Sequence, residues 1–250
     1  MKNKNILKIL GSIIFLIFSL SIYSSLYGNP ISYIKAKSKI QSYVDINYKD
    51  ILTINDISYN FKSNSYIANV VDKKYALEDS TIEYYISTGY IVDYYHFNTK
   101  MKMEDEVKSF IENLIIQNTK LKRNNLSMDL NINIEQFKYR IYDKYTLKEP
   151  IDISICLQPN YDINTGEKYD DSKVLYKTKE EFCKDTYDIV QILKNTKYKF
   201  SNVEIYSYLE DGNSNYKVKL DKNMSANSLK DIQNNTIIDE GDKIKEEPIN

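Results

Sequence analysis

The sequence predicts an α+β protein in which an N-terminal transmembrane helix precedes two small domains, each of helices packed on an antiparallel sheet. Two observations lead to this fold class. No residue from Ile9 to Ile34 is charged. Beyond this run, apolar residues recur first at helical spacing and then at every second position, and this succession occurs twice. The predicted segments are an anchor or signal over 1–28, domains over 29–99 and 100–222, and a disordered polar tail over 223–250.

The charge-free run predicts where the protein lies. A helix over residues 6–26 would rise about 32 Å, enough to cross a hydrocarbon core of about 30 Å. Lys2, Lys4 and Lys8 precede it and favour a cytoplasmic N-terminus, with residues 29–250 outside the cell membrane. The alternative is a signal peptide cleaved after residue 28, followed by secretion, although the apolar run is longer than a usual signal core. The membrane is therefore the first predicted partner.

The first domain is predicted to hold one helix and four strands. Pro30 suits the first turn of an amphipathic helix, because proline lacks only an N–H that has no helical acceptor there. Alternating apolar residues then predict four strands, at 57–61, 66–71, 82–86 and 90–97. Thr88–Gly89 predicts the turn of the second hairpin. The expected product is a helix on an antiparallel sheet.

The second domain repeats this plan. Thr99 is the predicted N-cap of a helix whose first turn contains Glu104–Asp105–Glu106. Residues 135–148 fit both a helix and a strand, and we favour a short helix. A capping box at Thr178 and Glu181 predicts another helix. Further strands are predicted at 126–134, 151–157, 203–209 and 216–220.

Several core and turn positions form a family pattern, namely Asn29–Pro30, Ala36, Tyr43, Ile57–Phe61 and Tyr66. At these residues the chain resembles the YfjL-like family of small, N-terminally anchored proteins of Gram-positive bacteria. Tyr198–Val203 and the helix before it are similar to the C-terminal domain of that family. The resemblance covers most of residues 5–222. It implies two small α+β domains outside the membrane, with no established activity and no catalytic residues.

Composition excludes several chemistries. Successive glycines are all more than ten residues apart, which excludes glycine-rich phosphate loops and the nucleophile elbow of α/β-hydrolases. His96 is the only histidine, so two-histidine zinc motifs are excluded. Beyond residue 28 there are 31 basic and 35 acidic residues, which predicts no nucleic-acid partner. We therefore predict no cofactor and no metal.

Two features offer candidate sites. Tyrosine accounts for 24 of 250 residues, which an AT-rich coding sequence explains best. The functional alternative is an exposed interaction patch built from Tyr84, Tyr85, Tyr94 and Tyr95. The two cysteines lie on a predicted strand and a predicted helix, so they form a disulfide if that helix packs on that sheet, and two buried free thiols are the equal alternative. These residues are Cys156 and Cys183.

Other polar motifs match functional sites poorly. His96 falls late in a predicted strand, where a structural or solvated histidine is far commoner than a catalytic one. Asp162–Gly166 resembles the start of a calcium loop, but its glycine comes one position early and Lys173 stands where the last ligand belongs. Neither motif predicts a site.

The leading functional hypothesis is a non-enzymatic, membrane-tethered extracytoplasmic module that binds a protein, a peptide or an envelope polymer. The alternative is an envelope hydrolase or processing enzyme that uses carboxylates such as Asp93 or Glu104, which requires a concave site where acids converge. A third hypothesis is a spacer that self-associates through sheet edges.

Overall fold

A computed structural model of the chain describes residues 2–76, 80–135, 137–145, 150–158, 174–210, 214–222 and 226–240. The chain divides into two compact units. Unit 1 comprises Met1–Lys100 and Glu135–Asp143, and unit 2 comprises Met101–Ile134 and Lys144–Asn250. Sequence analysis assigns Glu135–Asp143 to the second domain, whereas its contacts group it with unit 1.

The chain begins with one long apolar helix, α1, over Lys2–Tyr27. By length and composition it is able to cross a membrane, with a mean hydropathy of 1.8 over its most apolar window and none of that window buried. Its large apolar side chains from Leu10 onward are exposed, including Phe15 and Phe18. The predicted span of residues 6–26 lies inside this helix.

A two-residue link joins α1 to α2, which covers Pro30–Asn47 as the sequence predicts. The Asn29 side chain caps α2 by accepting a hydrogen bond from the Ile31 N–H at 2.8 Å. Gly28 has a φ of 81°, and a Cβ at this position would lie 2.5 Å from the Tyr66 hydroxyl oxygen. Only glycine accommodates both this backbone conformation and this close approach.

Unit 1 contains a four-stranded antiparallel sheet in the order β1-β2-β3-β4. Its strands are β1 Leu52–Asn60, β2 Ser65–Asp72, β3 Ser80–Tyr85 and β4 Ile91–Asp93. The buried residues Ala36, Ile40 and Val44 of α2 share one core with alternate residues of β2 and β3. The helix-on-sheet arrangement predicted for residues 30–86 is confirmed by these elements.

The predicted strand over 90–97 is wrong in its second half, because helix α3 begins at Tyr94 and runs to Asn118. The Asp93 carboxylate accepts a hydrogen bond from the His96 N–H at 3.0 Å, which is N-capping geometry. Thr99 is therefore not the cap. It is buried within α3, and its hydroxyl donates to the Tyr95 carbonyl.

The short helix favoured for 135–148 is also wrong over the part that the structure describes. Residues 135 and 137–145 form neither helix nor strand, and the rest of the predicted helix, residues 136 and 146–148, lies outside the described residues. Phe137 has a φ of 65°, which no right-handed helix allows. The Arg140 N–H donates to the Asp143 carboxylate, which closes a local turn instead.

Unit 2 contains a five-stranded sheet in the order β5-β6-β7-β8-β9. The strands β6 and β7 are parallel, so the expected purely antiparallel sheet is wrong here. The parallel pairing is possible because helix α4, Lys179–Lys194, lies in the connection between β6 and β7. Neighbouring parallel strands require such a crossover. The strands are β5 Leu126–Asn131, β6 Ile151–Leu157, β7 Phe200–Tyr208, β8 Asn215–Asp221 and β9 Thr236–Asp239.

Two further predictions about unit 2 have opposite outcomes. The capping box at Thr178 and Glu181 is confirmed at the start of α4. The expected disorder from residue 223 onward is wrong for residues 226–240, which form α5 (Leu229–Asn235) and β9. Ala226 and Ile232 are fully buried and β9 pairs with β8, so side-chain packing and strand pairing together hold this segment. Residues 223–225 and 241–250 lie outside the described part of the chain.

Candidate functional site

The hairpin that joins β3 to β4 surrounds an open concavity of about 730 Å³, which we call the hairpin concavity. Its lining comprises Tyr85, Thr88, Gly89, Tyr90 and Val92. Gly89 has a φ of 72°, and its N–H donates to the Tyr85 carbonyl at 2.8 Å. This turn sets Tyr85 opposite Tyr90, which is 66% exposed. The result is a solvent-open surface with aromatic walls and hydroxyl groups.

Glu83 orients one wall of the concavity. It is buried, and its carboxylate accepts hydrogen bonds from the hydroxyls of Ser63, Ser65 and Tyr85. Burial and then the negative charge of Glu83 raise the pKa of Tyr85. The Tyr85 hydroxyl is therefore a donor towards Glu83, and its ring is held in place at the sheet surface.

The predicted patch of Tyr84, Tyr85, Tyr94 and Tyr95 is wrong as a set. Tyr84 and Tyr95 are buried in the core of unit 1, while Tyr85 is half-buried and Tyr94 is partly exposed. Adjacent strand residues face opposite sides of a sheet, so Tyr84 and Tyr85 do not share a surface. Tyr90 is the residue that the prediction missed. The signal was present, because Tyr85 and Tyr90 flank the predicted Thr88–Gly89 turn and therefore pair.

Asp93 serves as a structural acceptor in unit 1. Besides capping α3, its carboxylate accepts hydrogen bonds from the hydroxyls of Tyr48 at 2.5 Å and Tyr43 at 3.0 Å. Burial, followed by the charge of Asp93, raises the pKa of both tyrosines. These hydroxyls thus stay protonated and donate to the acid. The arrangement does not leave Asp93 open towards a substrate.

A second buried acid, Asp72, holds Glu135–Asp143 against the rest of unit 1. Its carboxylate lies 2.8 Å from the Arg140 guanidinium and 2.7 Å from the Tyr95 hydroxyl oxygen. The guanidinium also donates to the Asp50 carbonyl at 2.7 Å. Burial alone would raise the pKa of Asp72, but hydrogen bonds from Tyr95 and the Lys74 N–H, together with the Arg140 charge, lower it overall. This network therefore holds the loop Glu135–Asp143 in place and does not serve a ligand.

The described residues contain no group of three or more histidine, cysteine or acidic side chains placed to hold a metal. Glu104 accepts a hydrogen bond from the Ile132 N–H at 3.1 Å. Its expected position in a first helical turn is wrong, because α3 begins ten residues earlier. His96 lies in the first turn of α3 rather than on a strand. The calcium-like segment Asp162–Gly166 lies outside the described residues.

Cys156 and Cys183 are two buried free thiols, so the disulfide alternative is wrong. Cys156 pairs with Tyr206 in the β6–β7 register, whereas Tyr216 faces the other side of the sheet. Phe182 of α4 stacks on Tyr216, which places α4 on that other side. The sulfur of Cys183 lies 3.2 Å from the Thr236 hydroxyl oxygen. The two cysteines are therefore on opposite faces of one sheet.

These features define an α+β protein with an apolar N-terminal helix tied to its first unit. Residues 2–93 match the family model described as YfjL-like, N-terminal domain, which confirms the predicted resemblance for this part of the chain. No curated protein and no solved structure matches the chain.

Proposed function

We propose that the protein is a membrane-anchored extracytoplasmic module that binds an envelope ligand at the hairpin concavity without chemical conversion. The observation that carries the proposal is α1. A helix that is apolar on all sides and uncovered by the rest of the fold is stable in a lipid bilayer and unfavourable in water. Its 26 residues rise about 39 Å, which exceeds the hydrocarbon thickness.

The ends of α1 support a defined orientation. Lys2, Lys4 and Lys8 precede the apolar stretch, which favours a cytoplasmic N-terminus. At the other end, the rings of Tyr23 and Tyr27 stack with centroids 4.9 Å apart, and aromatic side chains favour the membrane interface. Helix α2 then begins after a link of two residues, on the outer side.

The link between α1 and α2 is bonded to the first sheet. The Tyr66 hydroxyl donates to the Asn29 carbonyl at 3.1 Å and lies 3.0 Å from the Ser32 hydroxyl. Because these contacts join β2 to Asn29 and to the first turn of α2, the short link that follows α1 is packed against the folded unit. A flexible spacer between the membrane and the first sheet is not needed.

The hairpin concavity supports the binding role. Tyrosine combines apolar contact area with a polar tip at low conformational cost, as binding surfaces require. None of the described residues that line the concavity is an acid, and Asp93 and Glu104 both accept hydrogen bonds from other parts of the fold. We therefore propose an extended ligand with apolar and hydroxyl or amide groups, such as a glycan strand or peptide of the envelope.

Fractionation of producing cells, with mass spectrometry of the N-terminal peptide, tests the anchor. The expected result is an uncleaved N-terminus in the membrane fraction and protease access to residues beyond 29 from outside the cell. A chain in the medium that begins near Asn29 would show that the protein is secreted and would contradict the membrane anchor.

Affinity for purified envelope glycan and for envelope peptides tests the concavity. Tyr90→Ser is expected to weaken binding by about tenfold or more, because an exposed aromatic contact is lost. Tyr208→Ser is the matched control, since Tyr208 is 46% exposed on β7 of unit 2. Equal affinities of the two variants would contradict binding at the hairpin concavity.

A further inference from the structure

Unit 2 contains a second concavity, of about 540 Å³, which we call the lysine pocket. It lies where α4 ends and where β6 and β7 begin, and the Ile151 N–H donates to the Lys199 carbonyl at 2.8 Å beside it. Its lining includes Lys194, Lys199 and Lys222. A volume of this size suits a small molecule.

The lysine pocket is positively charged, whereas the chain beyond residue 28 has a net negative charge. Beyond residue 28 the chain has more acidic than basic residues, yet the described lining holds three lysines and no acid. Within the part of the chain that the structure describes, none of these three ammonium groups forms an ion pair. Three like charges around one cavity repel one another unless an anion enters it.

Lys194 is positioned for this role by neutral groups. Its ammonium donates to the Ala226 carbonyl at 2.7 Å and to the Asn227 side-chain oxygen at 3.1 Å. An ammonium has three donors, so these two bonds hold it in place without neutralising its charge. The neighbouring carboxylate of Asp231 accepts hydrogen bonds from the N–H groups of Asn227 and Ser228 at the start of α5. The charge of Lys194 contributes, after these hydrogen bonds, to lowering the pKa of Asp231, so the two charges attract each other without forming an ion pair.

Aromatic side chains provide the apolar part of the lysine pocket. Tyr198 and Phe200 both line it and are buried. The Lys197 ammonium lies 5.2 Å from the centroid of the Tyr198 ring, which brings a fourth cation close to the same wall. Apolar surroundings weaken solvent screening and so strengthen the attraction between an anion and the lysines.

We infer that the lysine pocket binds a small ligand through a phosphate group. Phosphate carries nearly two negative charges at neutral pH, whereas a carboxylate carries one. Phosphate therefore matches the charge of three ammonium groups better. Lysine is a common phosphate binder that acts as a point charge. The buried rings of Tyr198 and Phe200 would contact the organic part of the ligand. This site is separate from the hairpin concavity and does not depend on it.

Calorimetric titration of the full chain, in nanodiscs of zwitterionic lipid, with inorganic pyrophosphate tests the inference. Binding with a Kd below about 1 mM is expected, and the Lys199→Gln/Lys222→Gln variant is expected to lose about tenfold in affinity. The matched control is Lys37→Gln/Lys39→Gln, which removes two exposed charges from α2. Chemical-shift changes at Lys199 and Lys222 in the unmodified chain provide a readout that needs no variant.

The inference is overturned if pyrophosphate does not bind at millimolar concentration. It is also overturned if the control variant loses as much affinity, or if succinate binds as tightly as pyrophosphate. The source of the phosphate is separated by repeating the titration in nanodiscs that contain phosphatidylglycerol. A weaker apparent affinity for pyrophosphate there identifies a lipid headgroup as the competing ligand. An unchanged affinity identifies a soluble phosphorylated ligand.

Discussion

The two units treat their buried polar groups differently. In unit 1, buried acids are bonded to tyrosine hydroxyls and a guanidinium, as in the contacts of Asp72 with Tyr95 and Arg140. In unit 2, the fully buried Thr186 hydroxyl has no hydrogen-bond partner among the described residues, and neither has that of Ser207. Unit 1 thus contains a connected network of buried polar groups. Unit 2 contains bonded polar pairs, such as Glu112 with Arg123, and also isolated polar atoms in its core.

This contrast explains the abundance of tyrosine in unit 1. Tyr43, Tyr48 and Tyr95 contribute rings to the packing of one unit and hydroxyls to two of its acids. A phenylalanine would fill the same space and leave a carboxylate short of a donor. These three tyrosines therefore serve the interior of unit 1, whereas Tyr85 and Tyr90 line the hairpin concavity.

The largest expected effect comes from breaking the network of unit 1. Arg140→Met should reduce the free energy of unfolding of unit 1 by about 3 kcal/mol, because it leaves the Asp72 carboxylate buried without its cation. Hydrogen exchange with mass spectrometry on the full chain in detergent should show lost protection at 137–143 and β2.

Lys138→Met is the control within the same segment. Lys138 pairs with Glu135 at the surface, so its loss should cost at most about 0.5 kcal/mol. If Arg140→Met proves as mild as this control, then Asp72 is satisfied by Tyr95 and backbone N–H groups alone, and the contrast between the units disappears.

The next largest effect is expected from acidification, which should change the stability of the two units in opposite directions. The lowered pKa of Asp72 means that its contribution is present above about pH 4, the ordinary aspartate range, and is lost as the pH falls further. In unit 2, burial raises the pKa of Asp185 despite the Tyr176 hydrogen bond, so its protonation on acidification favours the folded state. The effect at Asp72 should be smaller than that of Arg140→Met, because the guanidinium left unpaired reaches solvent.

Hydrogen exchange between pH 6 and pH 3, corrected for intrinsic rates, measures this difference. Peptides around Asp72 should lose protection before peptides around Asp185. The reverse order would show that other acids dominate the pH dependence of each unit.

Local sequence signals predicted much of the fold. Asn29–Pro30 and the Thr178 capping box located two helices, since the hydrogen bonds that start a helix are formed by adjacent residues. The error at Tyr94–Phe97 has a physical cause. Alternation over a few residues fits a strand, but the Asp93 carboxylate accepts a hydrogen bond from the His96 N–H and caps a helix instead.

Long-range pairing explains what the sequence could not predict. The parallel β6–β7 pair and the docking of Arg140 on Asp72 join residues far apart in the chain, and no local pattern encodes them. The candidate site was half predictable. The turn at Thr88–Gly89 implied that Tyr85 and Tyr90 pair, while the burial of Tyr84 and Tyr95 depends on where α2 and Asp72 lie.

Gly28→Ala tests whether tight tyrosine packing extends to the link between α1 and α2. The added Cβ would lie 2.9 Å from the Tyr59 ring and closer still to the Tyr66 hydroxyl, at a positive φ. A loss of about 2 kcal/mol in the stability of unit 1 is expected. Urea unfolding in detergent, followed by tyrosine fluorescence, measures it.

Gly11→Ala is the matched control, because nothing lies within 4 Å of a Cβ added at Gly11. It should leave the urea midpoint unchanged. A similar response of both variants would mean that the close packing of Tyr59 and Tyr66 around Gly28 does not contribute to the stability of unit 1.

The smallest effect should have the opposite sign and concerns unit 2. Thr186→Val replaces a buried hydroxyl without a partner by a methyl group of similar size, and should stabilise unit 2 by about 1 kcal/mol. Thr236→Val is the control, since the Thr236 hydroxyl donates to the Ile232 carbonyl at 2.7 Å and contacts Cys183. It should destabilise unit 2 by about the same amount. If urea unfolding shows that Thr186→Val is as harmful as Thr236→Val, the Thr186 hydroxyl is satisfied by a buried water, and the interiors of the two units follow the same rule.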